Sequence, residues 1–234
     1  ESWLFHKSKV VFGLYQAQKY IRERDEAVVV EGYFDVVAMY AAGFRNVVST
    51  CGTALTREHL LLLRRFANKV VLLFDGDKAG LAATERAMEL GLEEGVVLYG
   101  ASVPSGMDPD EVLFDQQSGE LLPGGKQRMT EILEQAKPIL DKRIEEAIHC
   151  AGSGTEERAS AIKQIGNWLG KLKDAVGREV RVQFVRDKLG VSAPLMAEAI
   201  QISAKQQSRY GKTQKPIKAT GGSVIRRLEK WEEV

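Results

Sequence analysis

Six acidic residues stand where chemistry on a phosphate would need them. Glu31 follows Ala27-Val28-Val29-Val30, a continuous apolar run short enough for a buried strand. A buried strand end does not normally deliver a carboxylate without a partner, because desolvating the charge is expensive. Gly32 then lets the backbone turn sharply. Asp35 follows near the start of the next helical pattern, where the helix dipole favours an anion. A second apolar run, Val70-Val71-Leu72-Leu73-Phe74, ends in Asp75-Gly76-Asp77. A third, Val96-Val97-Leu98-Tyr99, is followed by Asp108-Pro109-Asp110 in the loop beyond it.

If those runs are neighbouring parallel strands, Glu31, Asp75, Asp77, Asp108 and Asp110 meet at one rim of a sheet, where open α/β folds gather their ligands. Crowded carboxylates stay ionised only if something positive neutralises them. Lys or Arg is one answer and a divalent cation is another. Hard oxygen donors suit Mg²⁺ or Mn²⁺, and Gly76 leaves no bulky side chain in the way. Mg²⁺ keeps waters and binds substrate phosphates, so the reaction class is phosphoryl or nucleotidyl transfer. Taken alone, an Asp-x-Asp loop is most often a solvated turn, and a strand-end Glu is most often salt-bridged. Both motifs at successive strand ends favour the metal.

The elements that must position these residues alternate in type. Residues 9–24 carry apolar positions at helical spacing, and 27–30 read as a strand. A helix over 35–42 is closed by Gly43, and residues 46–49 form the next strand. Thr56 caps a helix running to Phe66, residues 69–74 form a strand, 78–93 a helix and 95–99 a strand. The reading is an α/β fold: a mostly parallel sheet with helices on both faces. Residues 116–125 read as a loop between subdomains. Beyond it only helical patterns are expected, over 127–150, 155–174, 177–189 and 192–203, so an all-α subdomain follows the sheet. Residues 208–222 are basic and Gly-containing and read as a flexible linker, with a short amphipathic helix over 223–231 after it.

Composition is that of an ordinary soluble protein: 234 residues, 44% hydrophobic, 28% charged and a net charge of +1. No apolar run approaches the roughly 20 residues that span a bilayer, and the first residues lack a signal-peptide pattern. A cytoplasmic location is expected, with no membrane partner. The chain does not begin with Met and is expected to be cut from something longer. Cys51 and Cys150 form no CxxC pair, so neither a structural zinc nor a disulfide is expected; both are read as small buried hydrophobes.

In order, Glu31-Gly32-Tyr33-Phe34-Asp35, Gly52-Thr53-Ala54-Leu55-Thr56, Asp75-Gly76-Asp77-Lys78-Ala79-Gly80 and Asp108-Pro109-Asp110 resemble the Toprim domain of DnaG-type bacterial primases. The stretch from Phe5-His6-Lys7-Ser8-Lys9 to Tyr15 resembles the segment preceding that domain in the same family. The resemblance implies a segment leading into the fold (1–24), the Toprim metal-binding domain (25–115), a helical subdomain (126–203) and a basic tail (204–234). It implies an RNA polymerase making short primers on single-stranded DNA from ribonucleoside triphosphates. Glu31, Asp75 and Asp77 would hold Mg²⁺ or Mn²⁺, with Asp35, Asp108 and Asp110 completing the cluster and Lys7 facing phosphate or template. The chain would act as a monomer and meet the replicative helicase through a C-terminal domain it lacks. The family's zinc-ribbon domain and the first, basic part of the polymerase core are also missing.

Other readings stay open on the residues themselves. Another Toprim enzyme, a topoisomerase or nuclease, would carry the same acids, although no tyrosine of the chain is marked as a DNA-cleaving nucleophile. A noncatalytic metal- or nucleotide-binding replisome module would carry them too. His6 is a supporting candidate beside Lys7; His59 and His149 read as surface or helix-terminal residues. Thr53 and Thr56 read as loop and cap residues, and the run from Lys205 to Lys218 as a solvated linker.

Overall fold

Glu26 and four following residues with small or branched side chains make β1 (Glu26–Val30), an inner strand of the sheet. The structure is a computed structural model and describes residues 6–74, 78–104, 107–152 and 154–211, the side chains of 78–79 and 203–211 excepted. β1 pairs in parallel with β2 (Val47–Ser49) on one side and with β3 (Lys69–Leu73) on the other. β3 pairs in parallel with β4 (Leu98–Ala101), and the two-residue β5 (Lys137–Pro138) runs antiparallel beside β4. The order is therefore β2-β1-β3-β4-β5.

Both faces of the sheet are buried, which explains why its strands are continuous apolar runs and not alternating ones. Ala27, Val29, Val70 and Leu72 pack under α1 (Leu14–Arg24), α3 (Arg57–Leu63) and α4 (Lys78–Glu94). Val28, Val30, Val71 and Leu73 pack under α2 (Tyr33–Ala41), α5 (Pro109–Leu113) and α6 (Gly125–Glu134). Each fully buried valine or leucine contributes about 1.5–3 kcal/mol, so the strands hold the rim in place.

The first cluster continues into α7 (Ile139–Ala151), α8 (Thr155–Lys171), α9 (Ala175–Leu189) and α10 (Ala193–Gly211) through Ile144, Ile165, Trp168, Val185 and Met196. Lys171 ties α8 to α4 through Glu89 at 3.0 Å, and Arg143 ties α7 to α4 through Glu85 at 3.2 Å. The expected architecture is present: a mostly parallel sheet covered on both faces, then a helical subdomain.

Several boundaries differ from the sequence reading. The helix expected from residue 9 starts at Leu14. A 3-10 turn at Lys7–Lys9 precedes it, and Phe12 bridges to Ser49 before Gly13, at φ 78°, opens the helix. β4 lies about three residues beyond its expected start, because Gly95 (φ 71°) and the Val96 N–H to Gly91 carbonyl bond still belong to the end of α4. The single helix expected over 127–150 is two, α6 and α7. Pro138 has no N–H to continue a helix, and Lys137–Pro138 instead pairs with Tyr99 and Gly100 as β5. The stretch after Gly125 is thus not purely helical.

α10 runs to Gly211, past the expected end at Ser203 and into the first residues of the expected linker. The rest of that linker and the expected helix over 223–231 lie outside the described residues. Cys51 is buried as expected, whereas Cys150 is exposed at the end of α7. Among the described residues no helix is long and apolar enough to cross a membrane.

Candidate metal centre

The chain leaves β1 for β2 on one side and returns to β3 on the other, so the strand order reverses between β1 and β3. In open α/β sheets the ligand crevice lies at this point, beyond the carboxyl ends of the strands. Val30 and Leu73 are register partners, so the two strands end level with each other. Glu31 follows Val30 directly and is exposed at the rim. Asp75 comes two residues after Leu73 in sequence, but Asp75 and Asp77 lie outside the described residues.

Asp35 is the third residue of α2 and half-buried. Its Oδ2 accepts the Gly32 N–H at 2.9 Å. Gly32 itself is in ordinary extended backbone (φ −103°), so the sharp turn expected there is not what requires glycine. Space is: a Cβ at position 32 would stand 2.9 Å from that same Oδ2. Burial raises the Asp35 carboxyl above the usual aspartate range. The Gly32 N–H opposes this, and the fields of Asp110, Asp108 and Glu31 add to it. Three of the other predicted acids therefore act on Asp35, two of them across the α2–α5 boundary.

Asp108 and Asp110 are placed by α5, not by a loop. Asp108 is the N-cap, with its own N–H donated to Glu111 Oε2 at 3.0 Å, and Pro109 and Asp110 open the helix. The core contacts of Val36 and Met39 with Val112 and Leu113 fix α5 against α2. Among the described residues no three Asp, Glu, His or Cys side chains already form a set able to hold an ion. The donors are nevertheless all hard carboxylate oxygens, the set that fits Mg²⁺ or Mn²⁺.

A second group of residues braces the same rim. Thr50 and Thr53 exchange hydroxyl-to-carbonyl hydrogen bonds across the loop that follows β2, where Cys51 (φ 52°) and Gly52 (φ 68°) are left-handed. Burial, and after it the nearby Cys51 thiol, raise the Tyr33 hydroxyl above its usual range, which sets this loop beside the start of α2. Thr56 caps α3 as expected, accepting the His59 N–H at 3.2 Å, and donates its hydroxyl to the Ser8 carbonyl at 2.7 Å.

His59, read from sequence as a surface residue, is fully buried. Its Nδ1 accepts the Thr56 N–H at 3.3 Å, which leaves Nε2 to donate to the Lys7 carbonyl at 2.9 Å. The signal was a histidine at the third position after a capping threonine, a place more often held by Glu or Gln. His59 thus holds the backbone of Lys7, whose side chain is exposed on the 3-10 turn. His6 is exposed before it, and His149 is exposed in the last turn of α7, as its sequence reading has it.

Comparison with known proteins agrees with this geometry. Residues 28–113 match the Toprim-like family, an interval that holds the candidate acids from Glu31 to Asp110. The DNA primase of Aquifex aeolicus is 32% identical over 207 residues, which is 88% of this chain and 39% of that protein. A DNA primase domain from Pseudomonas aeruginosa superposes with a TM-score of 0.74 at 30% identity, over 86% of this chain and 62% of that one. The chain belongs to the DnaG-type DNA primase family. A second primase structure, the DnaG catalytic domain bound to ssDNA, superposes with a TM-score of 0.67 at 29% identity, over 81% of this chain and 59% of that one. Because the matches reach well beyond the Toprim interval, the helical subdomain shares the primase likeness. The chain spans about two fifths of the length of the Aquifex primase.

Proposed function

We propose that this chain supplies the metal-binding centre of a primase RNA polymerase domain, one that joins ribonucleoside triphosphates into short primers on single-stranded DNA. What supports the reading is the half-buried Asp35 carboxyl, on which the charges of Asp110, Asp108 and Glu31 act, near the strand-order reversal of a chain in the primase family. A primase catalytic domain similar to it binds single-stranded DNA, which supports the template assignment.

In this reading Glu31, Asp75 and Asp77 hold Mg²⁺ or Mn²⁺, and Asp35, Asp108 and Asp110 complete or tune the cluster. Bound there, the metal would activate the attacking 3′-hydroxyl and stabilise charge on the leaving pyrophosphate. Gly32 holds the Asp35 carboxylate through its N–H, and α5 presents Asp108 and Asp110 to the same space. Lys7, on the turn that His59 fixes, faces nucleotide phosphate or template. The replicative helicase is a partner in this reading, and the place of work is the cytoplasm, at replication forks.

The test uses the polymerase domain completed with the segment that precedes this chain in its relatives. With Mg²⁺ and a single-stranded template, Glu31→Gln is expected to make no primers. Asp75→Ala and Asp77→Ala are expected to lose Mn²⁺ binding by calorimetry with unchanged circular dichroism. Robust synthesis by Glu31→Gln would overturn the polymerase reading in favour of a noncatalytic module.

A further inference from the structure

We infer that the Phe34 ring is a stacking platform for a nucleobase at the margin of the acid cluster, an inference that rests on the polymerase reading above. Phe34 lies in the first turn of α2, between Tyr33 and Asp35, and is 85% exposed. At 100° per residue it stands on the side of α2 away from Val36 and Met39, the helix's buried positions. The ring therefore adds nothing to the core. Beside a candidate catalytic centre, a large aromatic ring with its faces in water is free to stack on a ligand.

The neighbouring residues say which ligand. Tyr33 stacks at a tilt on Phe12, ring centroids 4.8 Å apart, and both rings stay partly exposed. Phe12 is preceded by Lys7 and Lys9, both exposed, on the turn anchored by His59 and Thr56. Along this rim the chain thus offers cations, then aromatic rings, then carboxylates. Cations for phosphates with rings for bases is the arrangement by which proteins hold single strands, and it tolerates any sequence because every base has a flat face. A protein partner fits less well. Covering Phe34 with protein would also desolvate its neighbours Glu31 and Asp35, at high cost, whereas a nucleobase needs only one face of the ring.

The base can belong to the template strand or to an incoming nucleotide, and one set of titrations separates the two. Labelled dT and dA oligonucleotides are titrated with the chain and followed by anisotropy, and ATP alone is titrated by calorimetry. Phe34→Ala is expected to weaken binding about tenfold without changing the melting temperature. Phe34→Trp is expected to keep wild-type affinity, with its emission quenched on binding. A loss confined to the oligonucleotides assigns the base to the template, and one confined to ATP assigns it to the incoming nucleotide; either supports the platform. Wild-type binding by Phe34→Ala in both arms would overturn the inference and leave the polymerase reading standing. A markedly lower melting temperature in that variant would overturn it too, by making the ring structural. A wild-type chain that binds neither probe would overturn the platform and count against the reading beneath it.

Discussion

Asp35 and His59 are both polar groups drawn out of water, and their surroundings treat them in opposite ways. Among the described residues the Asp35 carboxyl keeps one hydrogen bond, from Gly32, and it feels like charges nearby, so its charged form is disfavoured until a cation arrives. His59 is buried with both ring nitrogens matched, one to Thr56 and one to Lys7. Removing that ring would take the acceptor from the Thr56 N–H, leave the Lys7 carbonyl only the Val10 N–H among the described donors, and open a cavity at the start of α3. His59→Ala is therefore expected to destabilise the fold by about 2–4 kcal/mol, measured by chemical denaturation. A change below about 0.5 kcal/mol would mean that water replaces the ring freely. The place of Glu31 at a strand end was legible in the sequence because it follows a strand of unmistakably apolar residues. His59 was not, because one histidine beside a run of leucines looks the same whether it faces water or the core. Gly32 was legible as a necessary glycine but for the wrong reason: the constraint is the room Asp35 needs, which only the structure displays.

Between elements, the link that sets strand register is Asp25. It ends α1 in the left-handed region at φ 51°, and its carboxylate accepts the Asn68 N–H at 2.8 Å and the Asn68 side-chain amide at 3.0 and 3.1 Å. That clamp stands immediately before Glu26 and Lys69, the first register pair of β1 and β3. The hydrogen bonds from Asn68 hold the Asp25 carboxyl below its usual range. A lowered pKa in the folded state contributes stability above the unfolded value, about 3.9, and the contribution is lost as pH falls through the folded value. Asp25→Asn keeps the shape and tolerates the left-handed backbone. It is expected to lower the melting temperature at pH 7, with the gap to wild type closing as the pH falls below the unfolded value and through the lowered folded one. A gap that does not change with pH would show that shape, not charge, makes the clamp. Element type was readable at this scale, while some boundaries were not. The apolar run at Val96–Leu98 suggested a strand starting too early, since the close of α4 at Gly95 and Val96 depends on a backbone bond to Gly91. β5 was missed because two residues carry no periodicity, although Pro138 marked a break.

Across the whole molecule the two faces of the sheet have separate duties. The second face carries α2 and α5, and with them the acids at the rim. The first face joins the sheet to the helical subdomain through α4, α7 and α8. That second layer was legible as a set of helical periodicities, but the face it would pack on was not, because amphipathic stripes do not name their partners. The division predicts that the helical subdomain can be strained without disturbing the proposed metal centre. Gly166 of α8 is the place to do so: a Cβ there would stand 2.7 Å from the Ala199 Cβ and 2.9 Å from the Ala199 carbonyl carbon, so α10 must move to admit it. Gly166→Val is expected to cost about 1–3 kcal/mol by denaturation while leaving Mn²⁺ affinity within about twofold of wild type. Asp35, Asp108 and Asp110 lie on the opposite face of a sheet whose inner strands are buried on both sides, and a shift of α10 reaches them only by moving those strands. A parallel loss of Mn²⁺ binding in this variant would mean that the two faces act as one unit, with the helices tuning the rim through the strands.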